Sequence, residues 1–267
     1  MRVLLLVLLF AGLPATAEAV DRILALTPHA CEMLYAIGAG EQLVGSVDYC
    51  DYPEQANALP RVGSHKHINV EAALRLHPDL AIVASRQLSG VSTLEKMGVT
   101  VVESNPQSFH AIFSDILKLG ALTGHQRKAK ALVGQLQQRL NTIRAKPRLE
   151  TPVFYELWSD PLLTAGGSSF ISDLIDAAGG KNVFADLGID SPHVSVETVI
   201  RARPELIVIP LESRDIEART VFWERWLGKG KVRFVAVNPD LLHRPGPRLL
   251  DGLELLQRAI ASADKAE

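Results

Sequence analysis

Imidazole and thiolate are transition-metal ligands, and in this 267-residue chain they concentrate in a few short segments. Five of the eight histidines (His29, His65, His67, His193 and His243) and both cysteines, Cys31 and Cys50, fall in stretches that read as loops or loop ends. The spacings His29-x-Cys31 and His65-x-His67 put donors next to each other, so His29, Cys31, Cys50, His65 and His67 form a candidate metal set. No compact zinc motif accompanies them. The alternative for each histidine is a polar loop side chain bonded to backbone or water. The cysteines have two further options: a Cys31–Cys50 disulfide, favoured in an oxidising compartment, or unlinked packing.

Alternating strand and helix patterns must position these groups. In the first half, strands are expected at 22–27, 43–47, 79–84 and 99–104, and helices at 31–38, 70–76, 89–97 and 109–122. In the second half, strands are expected at 152–157, 205–210 and 232–237, and helices at 169–178, 195–202, 217–226 and 247–262. Such alternation argues for parallel α/β sheets. In open sheets of this kind ligands bind beyond the carboxyl ends of the strands. That rule selects the segments around His29 and Cys31, Tyr49 and Cys50, His65, Trp158, His193, and His243 with Arg244 as ligand contacts. Trp223 and Trp226, three residues apart on one helix, are expected in the core.

The two halves echo each other. INVEAALRLHPDLAIV at 68–83 corresponds to VSVETVIRARPELIVI at 194–209, an offset of 194 − 68 = 126. Each copy reads as a cap (Asn69, Ser195), a short helix, a proline turn and a buried strand. Glu71 and Glu197 are paired in the repeat and sit in the first helical turn, where a carboxylate favours the helix dipole. Between the halves, Ala129, Leu132, Val133, Leu136 and Leu140 recur at helical spacing. The expected fold is therefore α/β: two Rossmann-like lobes with mainly parallel sheets, at 20–122 and 148–267, joined by a long rigid helix at 123–147.

Residues 1–19 read as a secretory leader, with a basic start, a short apolar run and an A-x-A end. Cleavage is expected after Ala17 or Ala19, giving a periplasmic product expected to be a monomer. A net charge of −2 leaves no electrostatic footprint for nucleic acid. Neither a dinucleotide fingerprint, a phosphate-binding loop nor a nucleophile elbow occurs. No catalytic residue or catalytic cofactor is assigned, and a metal-dependent enzyme is the alternative from a different class.

RILALTPHACEMLYAIGAGEQLVG, DYCDYP, NVEAALRLHPDLAIV, LLTAGGSSFISDLIDAAGG, VSVETVIRARPELIVI and RPGPRLLDGLELL, in this order, resemble the periplasmic substrate-binding proteins of the vitamin B12 and iron-siderophore class. The resemblance is greatest to the B12-binding members and covers essentially the whole mature chain. It implies a bilobed protein that delivers a metal-containing chelate to the permease of an ABC transporter in the inner membrane. Glu71 and Glu197 match the two acidic residues that dock onto permease arginines. The B12-binding members hold their flat ligand between aromatic side chains. Tyr49 keeps one such position and Trp158 lies near another, whereas His65, Ala84 and Ser191 stand where those relatives have tryptophan. The implied ligand is a cobalt corrinoid, either B12 or a precursor such as cobinamide. Heme, a ferric siderophore, and a bare transition-metal ion or small metal chelate are the alternatives.

Overall fold

The computed structural model describes residues 20–64, 66–210 and 216–262. Residues 1–19, where a leader is expected, and His65 lie outside them. The first lobe runs β1 (Ile23–Ala25), α1 (Pro28–Ala36), β2 (Leu43–Ser46), α2 (Val70–Leu74), β3 (Leu80–Val83), α3 (Val91–Lys96), β4 (Thr100–Glu103) and α4 (Phe109–Leu122). Its sheet has the order β2-β1-β3-β4, every pairing parallel. The central strands are unbroken apolar runs, buried at every position, as strands covered on both faces must be.

The link is α5 (Gln126–Arg144). The second lobe follows with β5 (Thr151–Ser159), β6 (Leu162–Thr164), α6 (Phe170–Ala177), β7 (Gly180–Asn182), α7 (Val196–Ala202), β8 (Leu206–Pro210), α8 (Ile216–Leu227), β9 (Arg233–Val237), α9 (Asp240–His243) and α10 (Leu249–Ala261). Its sheet has the order β6-β5-β8-β9, with β7 also paired to β5. All pairings are parallel except β5–β6. The strand pattern did not predict β6 or β7. Each is three residues long, and Gly180-Lys181-Asn182 has little β propensity of its own; the nine-residue β5 supplies its ladder.

The repeat is carried into the backbone. Asn69 Oδ1 accepts from Ala72 N–H at 3.0 Å and Ser195 Oγ from Thr198 N–H at 3.3 Å, capping α2 and α7. His77 and Arg203 are related by the same offset, 203 − 77 = 126, and both adopt left-handed φ, 46° and 50°. Each stands directly before a proline, so helix exit and proline turn are built alike in both lobes.

At 19 residues α5 is about 28 Å long. Ala129, Val133, Leu136, Leu140 and Ile143 are buried along it, and Leu132 is half-buried. They belong to one apolar cluster that also takes in Ile116 and Leu119 of α4, Ile82 and Val208 of the two sheets, and Leu250 and Leu253 of α10. Arg139 donates to Asp251 at 2.7 Å and Glu254 at 2.9 Å, and Gln257 Nε2 donates to Ile143 O at 2.8 Å. The rod is thereby fastened to α10 along its second half.

Trp223 is fully buried against Phe154, and its indole N–H donates to the buried Glu156, which Arg219 also grips at 2.7 and 2.8 Å. Trp226 is not in the core but half exposed. Three residues advance a helix by 300°, which carries Trp226 off the narrow inward stripe of α8. Among the described residues no helix is long and apolar enough to cross a membrane.

Gly134 lies exposed in the middle of α5, and a Cβ there would meet nothing within 4 Å. Gly134→Ala should therefore stabilise the protein by about 0.5–1 kcal/mol through helix propensity alone. Leu136→Ala should cost about 2–5 kcal/mol. Urea unfolding read by circular dichroism measures both. Both variants should shift one cooperative transition, and separate transitions for the two lobes would show that α5 does not couple them.

Candidate functional site

The carboxyl ends of the strands from both lobes converge on a cleft of ≈ 360 Å³. The first lobe contributes Thr27, Pro28 and His29 after β1, Ala84 after β3, and Asn105 and Gln107 after β4. The second contributes Leu157 of β5, Ser169 and Phe170 at the start of α6, Asp190 and Ser191, and His243 with Pro245. Two contacts close the cleft where the lobes meet. Phe109 and Phe170 stack edge to face across the lobes at 5.4 Å. The backbone of Gly246 passes over the first turn of α1, close enough that a Cβ there would lie 3.8 Å from His29 O.

His29 is buried and both of its ring nitrogens are engaged. Nε2 is 3.0 Å from Ser104 O, and Nδ1 is 3.1 Å from Thr27 Oγ1, which in turn accepts from Ala30 N–H and caps α1. Ser104 Oγ donates onward to Asp115 at 2.6 Å. Burial lowers the His29 pKa to about 4, against the upward pull of the Ser104 carbonyl and Asp115. The imidazole is therefore neutral and fully bonded, which corrects the metal assignment of His29: an ion could bind only by breaking this network.

Cys31 and Cys50 are joined in a disulfide, with Cα atoms 6.1 Å apart, and both are buried. A disulfide holds no thiolate, so neither is a metal ligand, and burial removes both from ligand contact. His67 is exposed on its own loop. Among the described residues no group of three or more His, Cys, Asp or Glu side chains could hold a metal ion. The candidate metal set does not assemble there.

The remaining predicted contacts divide. His243 ends α9 and lines the cleft, its Nε2 lying 2.9 Å from the hydroxyl of the buried Tyr155. Although much of the residue is open to solvent, crowding around the ring lowers its pKa below the ordinary imidazole value, opposed by Asp240. Tyr49 and Trp158, one on each lobe, are 64% and 53% exposed and stand outside the enclosed part of the cleft. Tyr49 holds a left-handed φ of 64°, a conformation that costs a bulky residue energy and is kept only where the surroundings impose it. The indole N–H of Trp158 donates to Asp160 O at 2.8 Å. His193 is exposed and bridges Leu163 through its backbone.

Arg244 does not line the cleft. Its guanidinium donates to Asp51 at 2.7 Å and to Glu32 at 3.3 Å and pairs with Asp240 at 2.7 Å, so it meets the first lobe instead of a ligand. Ala84 and Ser191 face the same cleft from opposite lobes. Glu71 and Glu197 are exposed in the first turns of α2 and α7. The Glu197 carboxyl is held below the ordinary value by its own backbone N–H and the Ser195 hydroxyl.

Pattern reading passed over Asn105 and Gln107, although the strand-end rule applied to β4 would have selected them. It also passed over Phe170, at the start of α6, and Asp190, three residues before His193.

The neutral, buried His29 makes stability depend on pH. Its folded-state pKa lies below the ordinary 6.5, so the unfolded chain takes up the proton first as pH falls. The contribution is complete above pH 6.5 and is lost progressively toward pH 4, about 3 kcal/mol in all. Urea midpoints at pH 7 and pH 4.5 should fall further for the native protein than for His29→Gln; equal falls would place the acid sensitivity elsewhere.

Comparison with known proteins places this architecture. Residues 23–217 match the periplasmic binding protein family. The chain is 33% identical over 260 residues to a vitamin B12-binding protein of Yersinia pestis (strain Pestoides F), covering 96% of this chain and 92% of that protein. The crystal structure of the periplasmic vitamin B12 binding protein of Vibrio cholerae superposes with a TM-score of 0.81 at 31% identity, over 92% of this chain and 98% of that one. A periplasmic heme-binding protein from Roseiflexus sp. RS-1 in apo form gives 0.77 at 25% identity, over 92% and 100%. The resemblance carried by the sequence motifs thus holds along the whole bilobed fold. The chain belongs to the periplasmic binding protein family, whose members bind and carry solutes and are not enzymes.

Proposed function

We propose that this chain is the periplasmic component of an ABC importer, that it captures a corrinoid in the interlobe cleft, and that it hands the ligand to the permease. The observation that carries the ligand class is the cleft itself. It lies at the strand ends of two lobes that follow vitamin B12-binding relatives nearly end to end, and each lobe presents one exposed aromatic, Tyr49 and Trp158. No lysine or arginine lines the cleft among the described residues. Asn105, Gln107, Ser169 and Ser191 offer uncharged hydrogen-bonding groups instead. That lining suits a ligand rimmed with amides better than a polyanionic siderophore. The cobalt arrives as part of the cargo.

One observation favours heme as a second reading. His243 is a cleft imidazole held by Tyr155, and a neutral imidazole is an axial ligand for iron. Titration with cyanocobalamin, dicyanocobinamide and hemin, read by Trp158 fluorescence and ligand absorbance, separates the two. A corrinoid should quench Trp158, and Tyr49→Ala and Trp158→Ala should each weaken binding about tenfold. A shifted heme absorbance lost in His243→Ala, with no corrinoid retained, would replace the corrinoid by heme.

Glu71 and Glu197 support the permease contact. They occupy matching first turns of the two lobes, both carboxylates are solvent-exposed, and the only ion pair at Glu71 among the described residues is to Arg75 at 3.6 Å, an exposed pair of small energetic worth. Export of a monomer through cleavage after Ala17 or Ala19 completes the proposal. The double reversal Glu71→Arg/Glu197→Arg should abolish uptake while leaving ligand affinity unchanged. Undiminished uptake would remove the docking role.

A further inference from the structure

Five charged side chains meet where α1 faces the start of α10. Glu32 of α1 is almost fully buried, with its side chain 2% exposed. Arg248 grips it through two nitrogens, Nε donating at 2.9 Å, and lies over the Tyr52 ring with its guanidinium carbon 3.8 Å from the ring centre. Arg244 reaches the same carboxylate and then Asp51 and Asp240, with its own side chain only 10% exposed. Glu32 and Asp51 belong to the first lobe, and both arginines belong to the second. None of the five lines the cleft.

The disulfide adds a second regularity. Cys31 immediately precedes Glu32, and Cys50 immediately precedes Asp51. The covalent bond therefore joins the two segments that present carboxylates to Arg244. Burial pushes the Asp51 carboxyl upward, but the hydrogen bond and charge of Arg244 bring it below the ordinary value.

We propose that Glu32 is a positioning residue for ligand capture: with Asp51, Arg244 and Arg248 it forms a clasp between the lobes, its socket spaced by the Cys31–Cys50 disulfide, that fixes the aperture of the cleft before any ligand arrives. This inference rests on the cleft being the ligand site, and it goes beyond that assignment to what holds the site open. A half-closed hinge protein would place its interlobe charges at the rims, where closure makes and breaks them. Here Glu32, Arg244 and Arg248 are buried at the junction, their side chains 2%, 10% and 15% exposed, beside the closing contact of Gly246 on α1, where any opening would bare a carboxylate and two guanidiniums together.

The test measures aperture in the ligand-free protein. Spin labels attached through non-cysteine chemistry at Ser92 and Arg225, exposed on α3 and α8, report the distance between the lobes. The native protein should give one narrow distance distribution. Glu32→Gln should roughly double its width, and cobinamide should leave that variant roughly tenfold faster. Asp51→Asn and the double variant Cys31→Ala/Cys50→Ala should broaden the distribution in the same sense, and they decide the matter should Glu32→Gln fail to fold. A residue of purely structural weight would lower the melting temperature and leave the distribution narrow. A narrow, unshifted distribution in the folded variants overturns the proposal. Because the distance needs no ligand, a protein that binds no corrinoid yet loosens in Glu32→Gln would retain the clasp and lose only the corrinoid assignment.

Discussion

The carboxylate of Glu32 cannot be buried until the second lobe has arrived. Taking an ionised carboxylate out of water costs several kcal/mol, recovered only when well-placed partners satisfy it. Its partners are Arg244 and Arg248, 212 and 216 residues further along the chain. The first lobe therefore reaches its final state only with the second docked against it. The same holds for the apolar cluster, which runs from α4 through α5 into α10 without interruption. Two lobes that look separable by their sheets thus behave as one thermodynamic unit. α5 delivers the second lobe to a position where charge and apolar burial agree.

Local physics was legible in the sequence and long-range partnership was not. The alternation of strands and helices, the caps at Asn69 and Ser195, and the buried face of α5 follow from periodicity and neighbouring residues, and the structure has them with small boundary shifts. Even the left-handed turns at His77 and Arg203 extend a repeat visible as letters. β6 and β7 were missed because three residues carry no period. The cleft histidines were legible as a location but not as a chemistry. Whether His29 is a free ligand or a bonded core residue depends on Ser104, 75 residues away. The cysteine pair left three options open, and only the 6.1 Å approach of the two backbones selects the bridge. The sequence offers Arg244 to the ligand as a basic side chain in a loop expected at the cleft; Glu32, Asp51 and Asp240, which engage it, carry no signal that marks them as its partners.

The electrostatic character of the cleft follows from where the charges went. Arg244, between the cleft-lining His243 and Pro245, and Arg248 are turned into the lobe junction, and the two histidines that line the cleft among the described residues are held toward the neutral form by their surroundings. Among the described residues, what faces a ligand is a set of dipoles, apolar surface and the carboxylate of Asp190, to which Ser191 donates at 2.7 Å. Recognition in such a site depends on shape and hydrogen-bond direction more than on charge attraction. Ala84 and Ser191 then matter for what they omit: a small side chain on each wall leaves room where a larger one would add apolar contact.

A cleft held open in advance changes the energetics of capture and release. Ligand binding to a preorganised site avoids the cost of ordering the lobes, so affinity comes from contacts alone. The same stiffness means that the ligand cannot itself drive a large closure, because its contacts would have to overcome buried ion pairs they never touch. Release then requires a partner that binds a distorted form better than the resting one, since only differential affinity shifts such an equilibrium. Glu71 and Glu197 sit on separate lobes at matching places in the repeat. In the proposed complex, force applied there acts on the lobes as two levers about α5, and the clasp of Glu32, Arg244 and Arg248 is the resistance that the transporter must overcome.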